Sequence, residues 1–243
     1  MSVRSTLNHL VGRLLARRPR TQRFPITKSY RKALYGMKAL EIGGPSDVLG
    51  PAGSLPIYSC LESVDNINFA AETLWHSDAV KFRRTLICEG TKLQVDDAAY
   101  DCVIASHCLE HMADPIKALL EWKRVIRQRG LLLLILPHRD YTFDWRRPAT
   151  TLEHMREDFR NETLESDLSH LDEILLLHDL SKDLPAGTPE QFRARCLKNL
   201  ELRAIHHHVF VPETAAQLAG EAGFSVMRQD VEDFHIITLA SKS

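Results

Sequence analysis

Ala39-Leu-Glu-Ile-Gly-Gly-Pro-Ser46 is the stretch that decides the fold class. Residues 38–43 read as a short buried strand, and Gly43, Gly44, Pro45 and Ser46 follow at once as a tight turn able to open a helix. Outward from this unit, residues 58–64 alternate into an acidic stop at Asp65, and residues 85–88, 101–105 and 131–136 give three further apolar strands. Such short apolar runs suit strands buried on both faces of a parallel sheet. Asp114 and Pro115 start a helix that Gly130 ends, just before the fifth strand. Strands alternating with helices through short turns imply right-handed crossovers and an α/β doubly wound sheet.

Between residues 138 and 208 the alternation stops and helical patterns replace it, over 164–180 and over 190–205 behind the capping box Thr188-Pro-Glu-Gln191. We read residues 138–208 as an inserted helical cap. The core pattern returns over 209–243, with a helix to residue 222, a stop at Gly223 and two strands, 224–231 and 234–240. The expected divisions are thus a basic arm (1–35), a first core segment (36–137), the cap, and a last core segment.

With 243 residues, 44% apolar and 7% aromatic, the chain can bury a full core. Its longest aliphatic run, residues 131–136, is far short of the roughly 20 residues needed to span a bilayer. Five cysteines without CxxC spacing argue against a disulfide framework or a cysteine zinc site, and a cytoplasmic location is the expectation. The net charge of -1 hides an asymmetry: residues 1–35 carry nine bases and no acid, leaving 22 bases against 32 acids elsewhere. Leu7, Leu10, Val11, Leu14 and Leu15 recur there at helical spacing. Three readings stay open for this arm: peripheral contact with a membrane or another polyanion or partner protein, a transit peptide, or a helix docked on the core. The cap, with 14 acids against 10 bases over residues 138–205 and few aromatics, is no nucleic-acid platform.

The opening motif, with Val64-Asp65, Tyr100-Asp-Cys-Val-Ile-Ala-Ser106, Leu109-Glu-His111 and Gly130-Leu-Leu-Leu-Leu-Ile-Leu-Pro137, resembles a class I S-adenosylmethionine-dependent methyltransferase of the small-molecule type in motif, order and spacing. The resemblance covers residues 36–137 and 206–240. It implies a Rossmann-like seven-stranded sheet, mostly parallel with the last strand antiparallel, and S-adenosylmethionine as cofactor. The usual acid-x-Gly-x-Gly-x-Gly is altered here, since Pro45 and Ser46 stand in its middle.

Gly43 and Gly44 remove side chains where a ligand must approach the backbone, and a helix beyond them would offer free N–H groups. Asp65, 24 residues after Glu41, lies near the interval at which an acid ending the second strand meets ribose hydroxyls. The resemblance implies that Glu41 orients the methionine amino group, that Glu89 and Leu93 line the adenine site, and that the Ser106 backbone meets the methionine end.

For the chemistry, seven of the twelve histidines fall between residues 138 and 208. Neutral histidine is the natural base near pH 7 for taking a proton from a hydroxyl. His138, after the fifth strand, and His111 are the candidate bases, with Arg147, His154, His206 and His208 as candidate substrate contacts. His107, Glu110 and His111 resemble the Glu-x-x-Glu-His metal motif of some methyltransferases, and can hold a divalent ion such as Mg if one is used. A polar cap suits a hydroxylated small molecule or saccharide acceptor. The expected activity is O-methylation of a sugar, glycan precursor or secondary metabolite; N-methylation, a silent binding module and a metal hydrolase in the cap are the alternatives.

Overall fold

The computed structural model describes residues 24–73 and 82–243; the helical pattern at residues 7–15, His9 and His76 lie outside the described residues. Among those described, β1 (Lys38–Ile42), β2 (Ser63–Asn68), β3 (Thr85–Ile87), β4 (Tyr100–Ser106), β5 (Ile126–Pro137), β6 (Phe224–Glu232) and β7 (His235–Lys242) form one sheet. The order is β3-β2-β1-β4-β5-β7-β6, and β7 alone runs antiparallel to its neighbours. The expected seven-stranded Rossmann-like sheet is therefore present. Chain direction across the sheet reverses between β1 and β4, which opens a crevice at the carboxyl ends of those strands.

Each face has its own core. On one, α2 (Pro115–Val125) and α7 (Pro212–Glu221) cover Leu40, Val103, Leu132 and Leu134, with Trp122 and Leu218 fully buried. Asp114 caps α2 by accepting from the Lys117 N–H at 2.9 Å, and Pro115 fills the first helical position, where no donor is needed. The other face is covered by α1 (Thr27–Leu34) and by the coil of residues 45–57, around Tyr30, Leu34, Leu49 and Ile57. Residues 24–35, expected to belong to the arm, thus pack on the sheet: the Tyr30 hydroxyl donates to Asp230 at 2.8 Å and to the Ile237 carbonyl at 3.1 Å.

Three local expectations are corrected. No α-helix follows Gly43 and Gly44; residues 44–57 run as successive turns, because α1 already occupies the face that such a helix would cover. Residues 58–60 form a 3-10 turn, so β2 begins at Ser63 and Asp65 lies inside the strand opposite Leu40, not at its end. β5 also starts earlier, at Ile126, which puts Gly130 within the strand.

The cap holds α3 (Leu152–Arg160), α4 (Leu171–Leu177), α5 (Pro189–Cys196) and α6 (Asn199–Leu202). The Thr188 and Gln191 capping box is formed as expected. A small core of Leu171, Ile174, Phe192, Cys196 and Ile205 holds the cap together.

Truncating Leu34 to alanine is expected to cost about 2–5 kcal/mol, the range for a buried leucine. The shift in denaturation midpoint measures it, and a shift near zero would show that α1 is not part of the core.

Candidate active site

The crevice at the β1–β4 switch is a cavity open to solvent. Gly43 follows β1, Asn68 ends β2, and Phe69 comes next; Glu89, Gly90 and Thr91 follow β3. His107, Cys108, His111 and Met112 come from the segment after β4, and Glu165, Leu202 and Arg203 close the cavity from the cap.

The turn after β1 has no room for side chains. A Cβ on Gly43, whose φ is +77°, would stand 2.7 Å from Cys108 Sγ, and one on Gly44 would stand 2.3 Å from the Glu41 carboxyl carbon. The turn is fastened from β2: Asn66 Oδ1 accepts from the Gly44 N–H at 3.1 Å, while Asn66 Nδ2 and Asn68 Nδ2 donate to the Gly44 carbonyl at 3.1 and 2.9 Å. Beneath it Glu41 is fully buried, and the Tyr58 hydroxyl donates to its two carboxylate oxygens at 2.9 and 2.8 Å. Burial pushes the Glu41 carboxyl up to about 8, against the Tyr58 and Ser46 hydrogen bonds.

Of the residues expected at the cofactor, Gly43 and Glu89 line the cavity, whereas Glu41 and Gly44 lie just under its floor. Glu89 pairs with Arg203 at 2.8 Å, and the Arg203 guanidinium, also 2.9 Å from Glu165, rests 5.0 Å from the Phe69 ring centre. Asp65 does not reach the cavity. Its side chain is buried among Arg83, Arg84 and Tyr100, whose hydrogen bonds overcome the cost of burial and hold its carboxyl below the usual range. The side chain that ends β2 at the cavity is Asn68, an amide able to bond ribose hydroxyls in both senses. Leu93 is buried in the core, and its N–H donates to Glu121 at 2.7 Å. Ser106 is turned toward Ser46, with 3.0 Å between their hydroxyls, and it is the following residue, His107, that enters the cavity.

Of the two candidate bases, only His111 lines the cavity. Its Nδ1 is 3.0 Å from the Ile205 carbonyl, which requires the proton on Nδ1 and leaves Nε2 bare. Burial first, then the nearby His206, lowers its pKa to about 4, so the ring is neutral near pH 7. His138 instead caps the 3-10 turn Arg139–Tyr141, its Nδ1 accepting from the Asp140 N–H at 3.2 Å, and its ring packs 4.8 Å from that of Tyr141.

Behind His111 stands His206, with ring centres 4.6 Å apart. His206 Nδ1 is 2.6 Å from Asp144 Oδ2, and Arg147 binds Asp144 at 3.1 Å and the His206 carbonyl at 2.9 Å. Arg147, 3% exposed and also paired with Glu173, is therefore a support for Asp144 and His206 and no substrate contact. His154 and His208 lie off the cavity beside Asp158.

Glu110 lies between these rings, fully buried, with His107 Nδ1 3.5 Å from its Oε1. Burial works against its charge, but His107, His111 and His206 together hold its pKa below the ordinary value. Ligand atoms of Glu110, His111 and His206 lie within 4.8 Å of one another. His206 thus joins Glu110 and His111 in that group, while His107 bridges Glu110, through Nδ1, and His235 Nδ1, through Nε2 at 2.8 Å. Two imidazoles and one carboxylate suit a transition ion and do not suit Mg, which prefers oxygen.

Residues 51–134 match the family model of a methyltransferase domain. The chain has the class I S-adenosylmethionine-dependent methyltransferase fold. Solved structures like it include a possible histamine N-methyltransferase from Thermotoga maritima, at 14% identity over 99% of this chain and 98% of that one, with a TM-score of 0.53. The 1,6-didemethyltoxoflavin-N1-methyltransferase of Burkholderia thailandensis, solved with S-adenosylhomocysteine, is 13% identical over 99% of this chain and 87% of that one, with a TM-score of 0.53. A SAM-dependent methyltransferase from Aquifex aeolicus is 15% identical over the whole of both chains, with a TM-score of 0.50. No curated protein sequence matches the chain. The family match spans residues 51–134, and the glycine cradle at Gly43 leaves room for S-adenosylmethionine.

Two outcomes follow for the methyltransferase site. Asn68→Ala is expected to weaken S-adenosylhomocysteine binding about tenfold by calorimetry, roughly one hydrogen bond's worth, while Asp65→Asn destabilises the fold and leaves affinity within threefold; the reverse pattern would return the ribose contact to Asp65. The Glu41 proton leaves the unfolded chain near pH 4.5 and the folded protein near 8. Its stabilising share is therefore whole below the lower value and disappears as pH rises through the upper one. Melting temperature should fall over that window in the wild type and fall less in Glu41→Gln; equal declines would show that Glu41 is ionised in the fold.

Proposed function

We propose that this methyltransferase transfers its methyl group to a hydroxyl oxygen of a small polar acceptor, a sugar, glycan precursor or hydroxylated metabolite, with His111 as the base. The observation that carries this is the state of His111: a neutral ring at the cavity wall, its Nδ1–H held by the Ile205 carbonyl and its Nε2 lone pair free, beside a buried carboxylate.

S-adenosylmethionine would supply, when bound, a sulfonium methyl whose carbon an aligned oxygen can attack in line, the C–S bond breaking and S-adenosylhomocysteine leaving. A hydroxyl must shed its proton as the new bond forms, and His111 Nε2 is placed to accept it. The imidazolium so formed lies beside Glu110, whose buried negative charge offsets the new positive charge. Asp144 and Arg147 fix the His206 ring, and His206 in turn packs against His111 and sets its orientation. An amine acceptor would need no such base, which is why the paired Glu110 and His111 favour oxygen.

A screen of paired alcohol and amine acceptors with labelled cofactor should yield methyl ethers. In that assay His111→Ala should lower kcat by about 10²–10⁴-fold, the usual share of a general base, with S-adenosylhomocysteine affinity unchanged, and His138→Ala should turn over like the wild type. Methylamine products, or a His111→Ala enzyme of undiminished rate, would overturn the assignment.

A further inference from the structure

A second histidine cluster lies in the cap, apart from the cavity. His154 and Asp158 sit one helical turn apart on α3, His170 immediately precedes α4, and His208 lies on the return to the core. The ligand atoms of His154, Asp158 and His208 fall within 4.8 Å of one another. His154 Nε2 is 3.4 Å from Asp158 Oδ2, His208 Nε2 is 3.0 Å from the same oxygen, and His170 Nε2 is 3.0 Å from His154 Nε2.

Tautomers make this arrangement informative. His208 Nδ1 is 3.1 Å from the Met112 carbonyl, an acceptor only, so Nδ1 carries a proton and Nε2 is the ring atom turned to the cluster. A cation between that nitrogen and Asp158 Oδ2, 3.0 Å away, would be bonded by both. Three ligand atoms, His154 Nε2, Asp158 Oδ2 and His208 Nε2, thus converge from two separate segments of the chain. The Nε2–Oδ2 separations of 3.4 and 3.0 Å are close to the edge, about 3.3 Å, of a tetrahedron around an ion with bonds of about 2.0–2.1 Å. Outer partners also hold the ligands: the Met112 carbonyl fixes His208, and the Thr163 hydroxyl donates to Asp158 Oδ1 at 3.1 Å.

We propose that His154, Asp158 and His208 bind a zinc-class divalent ion that ties α3 to the segment after residue 205. Two imidazoles and one carboxylate are a donor set of such an ion and suit neither Mg nor Ca. Three protein ligands leave the fourth position to water. The ion would join α3 to the return segment, and through the Met112 carbonyl it would bear on the loop that carries Glu110 and His111. None of this depends on the acceptor or on His111 as base.

The test is metal analysis of the full chain purified without chelator, then titration of chelator-treated protein with Zn²⁺ and, separately, Co²⁺. The expected result is one equivalent of zinc, the intense visible absorption of tetrahedral Co²⁺, and a zinc-dependent rise in melting temperature. His154→Ala, at a partly exposed position, should weaken zinc binding by at least 100-fold while S-adenosylhomocysteine still binds; His170→Ala and His111→Ala should each keep their zinc. Folded wild type that takes up no zinc or cobalt would overturn the proposal. So would zinc that survives His154→Ala and is lost in His111→Ala, since the ion would then lie at Glu110, His111 and His206. Should His154→Ala fail to fold, the wild-type stoichiometry and Co²⁺ spectrum still decide.

Discussion

The close fit of the Gly44 backbone over the Glu41 carboxyl is the constraint on which the rest of the site depends. No side chain fits between them, and the turn that results brings Gly43 against Cys108, so the ends of β1 and β4 are locked at a fixed separation. Tyr58 and the two asparagines of β2 complete the fastening. Glu41, the acid that the resemblance assigns to the ligand, is part of the floor, kept from water, with its carboxyl pushed up to about 8 by burial. Without a helix after the turn, these side-chain bonds do the work that helix geometry would otherwise do.

His206, His207 and His208 show how consecutive like residues can acquire three chemistries. Along an extended segment, successive side chains point in different directions. His206 meets Asp144, whose charge raises its pKa against the effect of burial; His207 meets Asn199 Nδ2 at 3.1 Å and is lowered by burial to about 3; His208 meets Met112 and Asp158. One strip of chain therefore links the base's support, the inner packing of α6 and the proposed ion. The inserted segment meets the core through polar contacts at this strip and at Arg203 and through Met155 of α3, which is buried in the main apolar core beside α2 and α7, while Leu171, Ile174, Phe192, Cys196 and Ile205 form a smaller cluster of their own.

Much of the molecule was legible before folding. The order of strands, the glycine turn and the capped helices follow from local preferences that tertiary packing did not disturb, as Asp114 and Thr188 show. The site was legible only in part. Gly43, His107 and His111 could be placed by counting from strand ends and Glu89 by the resemblance, but Asp65 was misplaced because an alternating run at residues 58–64 became a 3-10 turn and shifted β2 toward its carboxyl side. Asn68 was missed for the same reason; a β2 begun three residues after Cys60 would have revealed it. Arg203, Glu165 and Asp144 carried no local signal, since each acquires meaning from a partner far along the chain.

By itself, then, the amino-acid sequence determined the α/β class, the seven strands and the helical, histidine-rich character of residues 138–208, because hydrophobic periodicity and turn chemistry act over a few residues. Which face each histidine presents, which acid reaches the cavity and which merely closes a buried ion pair were decided by tertiary structure. The physical reason is that burial and charge pairing depend on residues brought together from distant positions: Asp65 and Asn68, three places apart in one strand, were given different roles by Arg83, Arg84 and Tyr100 on one side and by the open crevice on the other.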